Sequence, residues 1–162
     1  MTLMNTSQKG IDLIKQFEGC KLKAYKPVPS EKYWTIGYGH YGVDVKPNMV
    51  ITQAQAESFL KSDLSRFERT LNAMGINYTQ NQFDSLISWI YNLGEGNFKK
   101  STLRKHIIAR RSDIEITDQM VKWVNSGGKP LLGLKRRRVA EANMFLGKNL
   151  YFVDYSGNIR KH

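Results

Sequence analysis

Cysteine, histidine and long apolar segments are all scarce in this sequence of 162 residues. Cys20 is the only cysteine, so no disulfide can form within the chain. The three histidines lie far apart and show no metal-ligand spacing, so we expect no metal and no cofactor. No apolar segment approaches the roughly 20 residues of a membrane span, and residues 1–9 lack the hydrophobic centre of a signal peptide. We therefore expect a protein that is made in a cytoplasm and does not insert stably into a membrane.

Acidic residues are also few. Lysine and arginine together number 25 against 14 aspartates and glutamates, which gives a net charge of +11. Such a charge favours anionic partners, namely nucleic acid, acidic membranes or the anionic bacterial wall. No zinc-finger spacing, RNA-binding aromatic signature or basic zipper accompanies it, so nucleic acid is supported by charge alone. The 41% of hydrophobic residues suffice for a core, and the length suits one domain or two small lobes.

The first part of the chain changes from a helical to a strand-like pattern. Ser7 is a candidate N-cap and Gly19 a stop signal for a helix with an apolar residue at every third position, Ile11, Ile14 and Phe17. Residues 21–40 are then typical of a hairpin or small sheet. Pro27 and Pro29 cannot donate to a central strand, so its first arm is predicted to be an edge or an irregular loop.

Two capping boxes mark the longer helices. Thr52 begins a predicted helix over about 53–74, and Thr79 begins a helix that is apolar around much of its circumference. The second helix should therefore be the centre of the larger lobe. A turn at Gly94-Glu95-Gly96 closes it, and shorter helices are predicted near 101–110, 118–124 and 134–146.

These elements predict a single α+β domain over residues 1–162 that is predominantly helical. A small N-terminal lobe with a β-hairpin or sheet covers about 12–52, and the helix over about 53–74 connects it to a helical lobe over about 75–147. The N-terminal helix packs with the helical lobe. The tail, 148–162, is apolar enough to pack back on the body, and we assign it no function.

Glu18 and Thr35 form the most informative pair of polar residues. Glu18 ends the predicted first helix, where the macrodipole and burial beside Phe17 both disfavour its charged form and make it a candidate proton donor near neutral pH. The hydroxyl of Thr35 can hold a water in place. An acid facing a positioned water is the minimum that cleavage of a glycosidic bond requires. By itself the pair is weak, because structural carboxylates far outnumber catalytic ones.

The amino-acid sequence around this pair closely resembles that of phage-type lysozymes, glycoside hydrolase family 24. The resemblance rests on collinear segments through nearly the whole chain: Glu18-Gly19, Leu22-Lys23-Ala24-Tyr25-Lys26, Trp34-Thr35-Ile36-Gly37-Tyr38-Gly39-His40, Gln82-Phe83-Asp84-Ser85-Leu86, Tyr91-Asn92-Leu93-Gly94, Phe98-Lys99-Lys100-Ser101-Thr102-Leu103, Trp123 to Lys129, Gly133 to Arg138, Glu141 and Phe145-Leu146-Gly147. The tail lies outside it. Chance similarity is a poor explanation for so many segments in one order.

The resemblance implies a lysozyme-like fold with a substrate cleft between the lobes. It implies an endolysin that hydrolyses the β-1,4 bond between N-acetylmuramic acid and N-acetylglucosamine in peptidoglycan. Glu18 would be the acid and Thr35 the holder of the water, and Tyr91 and Ser101 match cleft-lining positions. The partner is then the bacterial wall rather than nucleic acid, and the protein is expected to be a monomer. It would remain in the host cytoplasm until a membrane lesion releases it.

One member of the family's usual catalytic set is missing. The family pairs its glutamate with an aspartate on the hairpin, but the two ways of counting to that position find Pro27 and Pro29. Glu31 is the candidate second carboxylate, because it shares side-chain parity with Thr35 if the strand is regular. About 13 Å of extended strand would nevertheless separate it from Thr35, and pairing with Lys32 at a turn is the alternative role. Asp44 ranks below Glu31, because its loop setting suggests turn capping.

Three outcomes follow from the missing aspartate. The enzyme works with Glu18 and Thr35 and no strong base, or Glu31 substitutes for the aspartate, or the chain is a weakened or inactive wall-binding protein that kept the fold. Cys20 follows Glu18 closely, but no histidine is related to it by a motif, so we expect a small buried residue. His40 is expected to join a hydrogen-bond network rather than to contact substrate.

Overall fold

The structure is a computed structural model that describes residues 2–162. Within this range the helices are α1 (Gln8–Glu18), α2 (Gln53–Asn72), α3 (Gln80–Leu93), α4 (Glu95–Lys100), α5 (Thr102–Ile108), α6 (Asp113–Met120) and α7 (Leu132–Leu146). The strands are β1 (Lys21–Tyr25), β2 (Trp34–Gly37), β3 (His40–Gly42), β4 (Asn125–Ser126), β5 (Lys129–Pro130), β6 (Tyr151–Val153) and β7 (Ile159–Lys161). This order confirms the predicted α+β class, with helices predominant after a small N-terminal sheet.

The N-terminal sheet is antiparallel, with the strand order β1-β2-β3. Thr35 in β2 lies opposite Tyr41 in β3 and Tyr25 in β1, so the middle of the sheet is also its most enclosed part. The loop between β1 and β2 holds both prolines outside the strands, as predicted. Because the β1–β2 register shifts between Lys21 and Tyr25, β1 bends where it approaches the end of α1.

The helices α2 and α3 begin at the predicted capping boxes, where local hydrogen bonds satisfy the first backbone N–H groups. The hydroxyl of Thr52 accepts from the Gln55 N–H, and the Gln55 side chain accepts from the Thr52 N–H. Thr79 and Gln82 repeat this exchange at α3. At 20 residues α2 is about 30 Å long, which lets it run from the small sheet to the helical lobe.

The hydrophobic core surrounds α3, which packs against α1, α2 and α7. Residues 83–90 of α3 are buried without interruption. Trp89 is fully enclosed, packs edge-on against Phe98 and Trp123, and donates its indole N–H to the Met120 carbonyl at 3.1 Å. Full burial of one such side chain contributes about 1.5–3 kcal/mol, so this cluster anchors the helical lobe.

Ser7 does begin α1, but its side chain does not cap the helix. Its N–H donates to Asp84 Oδ1 at 3.0 Å and its hydroxyl donates to Asp84 Oδ2. Asp84 is fully buried in α3. A contact across 77 positions has therefore replaced the local cap and ties the start of α1 to the core.

Two short elements differ from the predictions. The helix predicted near 118–124 is α6, which begins five residues earlier because the Ser112 hydroxyl accepts from the Glu115 N–H. Gly94 ends α3 with a φ of +90°, as predicted, but Gly96 lies inside α4 rather than in a turn. Both errors arose because short helices have too little apolar periodicity to mark their ends.

The C-terminal segment packs back on the body as an antiparallel hairpin of β6 and β7. Tyr151 is buried, and its hydroxyl donates to Asp118 Oδ1 at 2.6 Å. The Asn143 side chain of α7 accepts from the backbone N–H groups of Leu150 and Tyr151. The hairpin is thereby held against α6 and α7. Every helix between residues 2 and 162 is too short or too polar to cross a membrane.

Candidate active site

A cleft of about 540 Å³ lies between the small sheet, α2 and α3. Its lining residues include Glu18, Gly39, Asp63, Arg66 and Tyr91, which come from four different parts of the fold. Most of these side chains are polar or charged. The cleft is therefore suited to a hydrated, hydrogen-bonding ligand rather than to an apolar one.

Glu18 enters this cleft from the last turn of α1. Gly19 ends the helix with a φ of +66°, and its N–H donates to the Lys15 carbonyl. A residue with a side chain would be strained at that φ, so the glycine lets the chain turn directly after the carboxylate. The Glu18 side chain is 19% exposed, and Glu18 is one of the residues that line the cleft.

Arg137 of α7 holds one oxygen of Glu18. Its Nη1 donates to Glu18 Oε1 at 2.7 Å, its Nε donates to Glu141 Oε2 at 3.2 Å, and its Nη2 donates to the Ser88 carbonyl at 3.1 Å. The guanidinium is almost fully buried. Because its planar group reaches partners on three helices at once, it determines the direction in which Glu18 points.

A second buried arginine completes this network. Arg138 Nε lies 2.8 Å from Glu141 Oε1 at an angle too poor for a hydrogen bond, and its Nη2 donates to Asn92 Oδ1 at 2.7 Å. The hydroxyl of Ser88 donates to Glu141 Oε2 at 2.6 Å. Arg137 and Arg138 both contact Glu141, and Arg137 also contacts Glu18, so each buried guanidinium has a carboxyl partner.

The other oxygen of Glu18 faces the cleft beneath the β2–β3 turn. A Cβ at Gly39 would lie 3.4 Å from Glu18 Oε2 and 3.4 Å from the Tyr91 hydroxyl, and Gly39 has a φ of +92°. Tyr91 donates its hydroxyl to the Tyr38 carbonyl at 2.6 Å. Burial raises the pKa of Tyr91 above its usual range, and the charges of Glu18 and Asp63 raise it further. Tyr91 therefore lines the same cleft as Glu18, and its contact with substrate stays a prediction.

Thr35 lies in the middle of β2 and is only 6% exposed. Within residues 2–162 its hydroxyl forms no hydrogen bond, so its donor and acceptor positions are unused. Thr35 is not among the residues that line the cleft. Its role as the holder of a water stays a prediction.

Glu31 lies in the loop before β2. Its N–H donates to the Val28 carbonyl at 3.0 Å, and β2 begins only at Trp34. Residues 31–35 therefore do not form the regular strand on which the shared side-chain parity of Glu31 and Thr35 depended. The strand is interrupted because a turn and a bend occupy residues 28–33.

The pKa of Tyr25 is affected by both Glu31 and Glu18. Burial raises the pKa of Tyr25, and the charges of Glu18 and Glu31 raise it further. Tyr25 is also the cross-strand partner of Thr35. The two carboxylates thus act on the residue that pairs with Thr35 across the sheet.

Glu31 does not form the ion pair with Lys32 that its alternative role, as a paired turn residue, required. Within residues 2–162 it forms no salt bridge, and the Lys32 ammonium instead lies 5.2 Å from the centre of the Tyr33 ring. Asp44, the lower-ranked candidate, is not free: its Oδ2 lies 2.8 Å from His40 Nε2. Of the two acids, only Glu31 is available for another role.

His40 joins a network, as the sequence predicted. Its Nδ1 lies 2.8 Å from Asp63 Oδ2, and its ring stacks on Phe59 at 4.4 Å. The hydrogen bond to Asp63 raises the pKa of His40 to about 9, Asp44 adds to this, and burial opposes it. A protonated imidazole donates from both nitrogens, which matches its two carboxylate partners.

Ser101 and Cys20 lie away from the cleft. The Ser101 hydroxyl is buried, donates to the Phe98 carbonyl at 2.7 Å and accepts from the Arg104 N–H, so it caps α5. Its predicted contact with substrate stays a prediction. Cys20 is half-buried rather than buried, with its Sγ 3.8 Å from Gln53 Oε1.

Sequence reasoning missed the residues that hold and surround Glu18. Arg137 and Glu141 are four positions apart and Arg138 and Glu141 three apart, a spacing that signals ion pairs on one helical face. That spacing could have revealed the pairs within α7. No local pattern could have revealed Asp63 or Arg66, since they line the cleft only because α2 crosses beneath the β2–β3 turn.

A carboxyl group anchored through one oxygen and open to a polar cleft through the other can deliver a proton to a bound ligand. With a small sheet on one side of the cleft and a helical lobe on the other, the fold and site define the lysozyme-like class of proteins. The model of the phage lysozyme family matches residues 15–141. The chain belongs to the phage lysozyme family.

Known relatives agree with this assignment. An endolysin of Bacillus phage PZA is 48% identical over 143 residues, which are 88% of this chain and 55% of that protein. The chain spans about half the length of this and a second Bacillus phage endolysin that it matches.

Two solved structures share the fold. The muramidase domain of SpmX from Asticaccaulis excentricus superposes with a TM-score of 0.80 at 32% identity, covering 88% of this chain and 97% of that one. The endolysin from Escherichia coli O157:H7 phage FAHEc1 superposes with a TM-score of 0.77 at 38% identity, covering 90% and 95%.

Proposed function

We propose that the chain is an endolysin that hydrolyses the β-1,4 bond between N-acetylmuramic acid and N-acetylglucosamine in bacterial peptidoglycan. The observation that carries this proposal is the placement of Glu18, which ends α1 inside a polar cleft and is anchored there by Arg137. Membership in the phage lysozyme family and the names of the related endolysins support the same activity.

In this proposal Glu18 is the general acid. Arg137 occupies Oε1, so Oε2 is the oxygen that faces the cleft and can carry the proton. Protonation of the glycosidic oxygen by Oε2 would let the leaving sugar depart as a neutral alcohol. The anchor through Oε1 keeps the carboxyl group in one orientation, which lowers the entropic cost of reaching the reactive geometry.

The attacking water would be held by Thr35 and activated by Glu31. The Thr35 hydroxyl has no hydrogen-bond partner within residues 2–162. Glu31 is half-buried, forms no salt bridge in this range and raises the pKa of Tyr25, the cross-strand partner of Thr35. A carboxylate on the far side of the sugar ring from the acid is what hydrolysis of this kind requires. In this proposal Glu31 takes the role that the resemblance assigns to the missing aspartate.

Cleft residues outside this set would bind the glycan. Tyr91 lies beside Glu18, and Arg66 and Arg69 of α2 line the same cleft. Their positive charge suits the carboxylates of the wall peptides. Ser101 caps α5, so a substrate contact from this residue would involve the neighbouring backbone rather than its occupied hydroxyl.

The test of the acid is Glu18→Gln, which removes the proton donor and keeps the side-chain size. Lysis of isolated cell walls should fall by roughly 10²–10⁴-fold, the usual effect of losing general-acid assistance. Asp12→Asn is the matched control, because Asp12 is an exposed acid on the same helix and should leave the rate unchanged. A folded Glu18→Gln protein that lyses walls at the parent rate would rule out this residue as the acid.

The same assay addresses the alternative of an inactive wall-binding protein. A parent protein that sediments with walls but never clears them would favour that alternative. We also propose that the protein is a monomer and stays in the host cytoplasm until a membrane lesion releases it. Size-exclusion chromatography and fractionation of expressing cells test these two points.

A further inference from the structure

A second groove lies on a different face of α7 from the one that carries Arg137. It has a volume of about 820 Å³ and is formed by α1, α7 and the start of the C-terminal hairpin, with Asn81 of α3 at one end. Phe17 and the Arg137 guanidinium, 5.8 Å from the centre of its ring, separate this groove from Glu18. The groove is therefore not part of the cleft described above.

The lining of this groove is positively charged. Lys9, Arg136 and Lys148 contribute cations, whereas no aspartate or glutamate is among its described lining residues. None of the three forms a salt bridge within residues 2–162, and Lys9 contacts only the amide oxygen of Asn81 at 3.4 Å. Three exposed charges without anionic partners converge on one concave surface, which concentrates anions there.

The remaining lining is amide and covered aromatic surface. Gln16, Asn81 and Asn149 present side-chain amides, which can bind hydroxyl and phosphate oxygens. Phe152 stacks on His162 at 4.4 Å and Phe17 faces Arg137, so neither ring is an open platform. The groove thus combines cations with hydrogen-bonding groups and lacks exposed rings for stacking.

One wall of the groove lies beyond the family match. That match ends at residue 141, whereas the wall is built by residues 147–153. Asn143 holds this wall in place through the N–H groups of Leu150 and Tyr151. The C-terminal hairpin therefore completes a surface that the matched part of the chain could not form alone.

We propose that this groove binds an anionic polyol phosphate polymer, a chain of hydroxyl-bearing units joined by phosphodiesters. The cations match the phosphates and the amides match the hydroxyl groups. Nucleic acid fits less well, because single strands bind through exposed aromatic side chains on which bases stack. On a wall that contains such polymers, the groove would hold the protein at its surface through a contact separate from the cleft.

The experiment compares two triple variants that lose the same charge. The groove variant is Lys9→Gln, Arg136→Gln and Lys148→Gln, and the control is Lys105→Gln, Lys122→Gln and Lys129→Gln, which are exposed and lie outside the groove. Calorimetry measures the Kd for a short synthetic glycerol phosphate oligomer. The groove variant should bind about tenfold more weakly, since three exposed charge contacts at roughly two- to threefold each multiply to that order. The control should change by less than about twofold.

Equal losses in the two triple variants would overturn the proposal, because net charge alone would then explain binding. A single-stranded DNA oligonucleotide of equal charge is the second ligand. If it binds as tightly as the glycerol phosphate oligomer and the groove variant loses affinity for both equally, the groove binds polyanions in general and the proposed selectivity is wrong. Cleavage of a soluble glycan chain without phosphate should be unchanged in the groove variant. Since binding is measured without hydrolysis, an inactive parent with normal binding would contradict only the proposed function.

Discussion

The carboxylate of Glu18 is held by a residue 119 positions away in sequence. Arg137 has only 4% of its side chain exposed, and Glu141, its other anionic partner, is fully buried. Buried charges are tolerated when every one has a partner, and Arg137 is the cation that Glu18 and Glu141 share. The geometry of the proposed acid is thus set by a buried network rather than by α1 alone.

Replacing Arg137 by methionine should destabilise the protein strongly. The change leaves Glu18 and Glu141 without their shared cation while filling most of the space. We expect the free energy of unfolding to fall by about 3–5 kcal/mol, the usual effect of removing one member of a buried ion pair. Urea denaturation at neutral pH measures this difference.

Arg136→Met is the control for this substitution. Arg136 is the adjacent residue, is exposed, and forms no salt bridge within residues 2–162, so its loss should change stability by no more than about 0.5 kcal/mol. Similar stabilities for the two variants would contradict this prediction. The attraction between the buried charges would then only balance the cost of removing them from water, and the network would contribute little to the stability of the fold.

A second prediction at the residue scale concerns the missing aspartate. If Glu31 activates the water, Glu31→Gln should slow wall lysis by roughly 10²–10⁴-fold. Asp44→Asn, at the lower-ranked acid, should keep the parent rate at equal folded fraction, because Asp44 is paired with His40. Turbidity assays on isolated walls compare the two variants.

Pro27→Asp completes this comparison, because it places an acid at one of the two positions to which the resemblance assigns the family's aspartate. With Glu31 already in the role, no gain is expected, and release of the proline should cost at most about 1 kcal/mol of stability. Faster lysis by Pro27→Asp together with an unaffected Glu31→Gln protein would mean that the parent lacks a base and that Glu31 is a loop residue only.

At the scale of elements, His40 ties β3 to α2. Its Nδ1 contacts the carboxylate of Asp63 in α2, and its Nε2 contacts that of Asp44 in the following loop. The ring also stacks on Phe59 of α2. Asp63 and Gly39, next to His40, both line the cleft. The charged imidazole therefore holds the sheet at the position that shapes the cleft.

These contacts predict a pH dependence of stability. The pKa of His40 is raised from 6.5 to about 9 in the folded state, so its contribution is fully present below pH 6.5 and is lost as the pH rises through about 9. The free energy of unfolding should decrease over this interval in the parent. His40→Gln should remove that decrease.

The measured quantity is the difference in unfolding free energy between the parent and His40→Gln at each pH, which cancels the other titrating groups. It should be largest below pH 6.5 and shrink towards pH 9. A difference that is constant over the interval would mean that folding does not raise the pKa of His40.

At the scale of the whole molecule, the net charge of +11 should act on association with an anionic wall. The Debye length falls to about 8 Å at roughly 0.15 M salt, which screens attraction between separated charges. Lysis of isolated walls should therefore be fastest at low to moderate ionic strength and decrease as salt is added. A rate that stays flat to several-fold physiological salt would show that charge plays no part.

Much of this architecture follows from local interactions. Thr52 and Thr79 begin their helices through hydrogen bonds within three residues, and glycine ends α1 and α3 because it accepts a positive φ. Such contacts involve neighbours in sequence, so spacing alone predicts them. The start of α6 was missed although Ser112 is a local cap, because its short helix lacks an apolar stripe to confirm it.

The sequence by itself determined the fold class, the two long helices and the place of Glu18 at the end of a helix. Only the tertiary structure decided what surrounds that carboxylate. Arg137 reaches Glu18 because α7 packs against α3, and Glu31 stays unpaired because the loop before β2 turns where a regular strand was expected. Contacts between distant segments depend on how whole elements pack, and no periodicity or spacing within one segment carries that information.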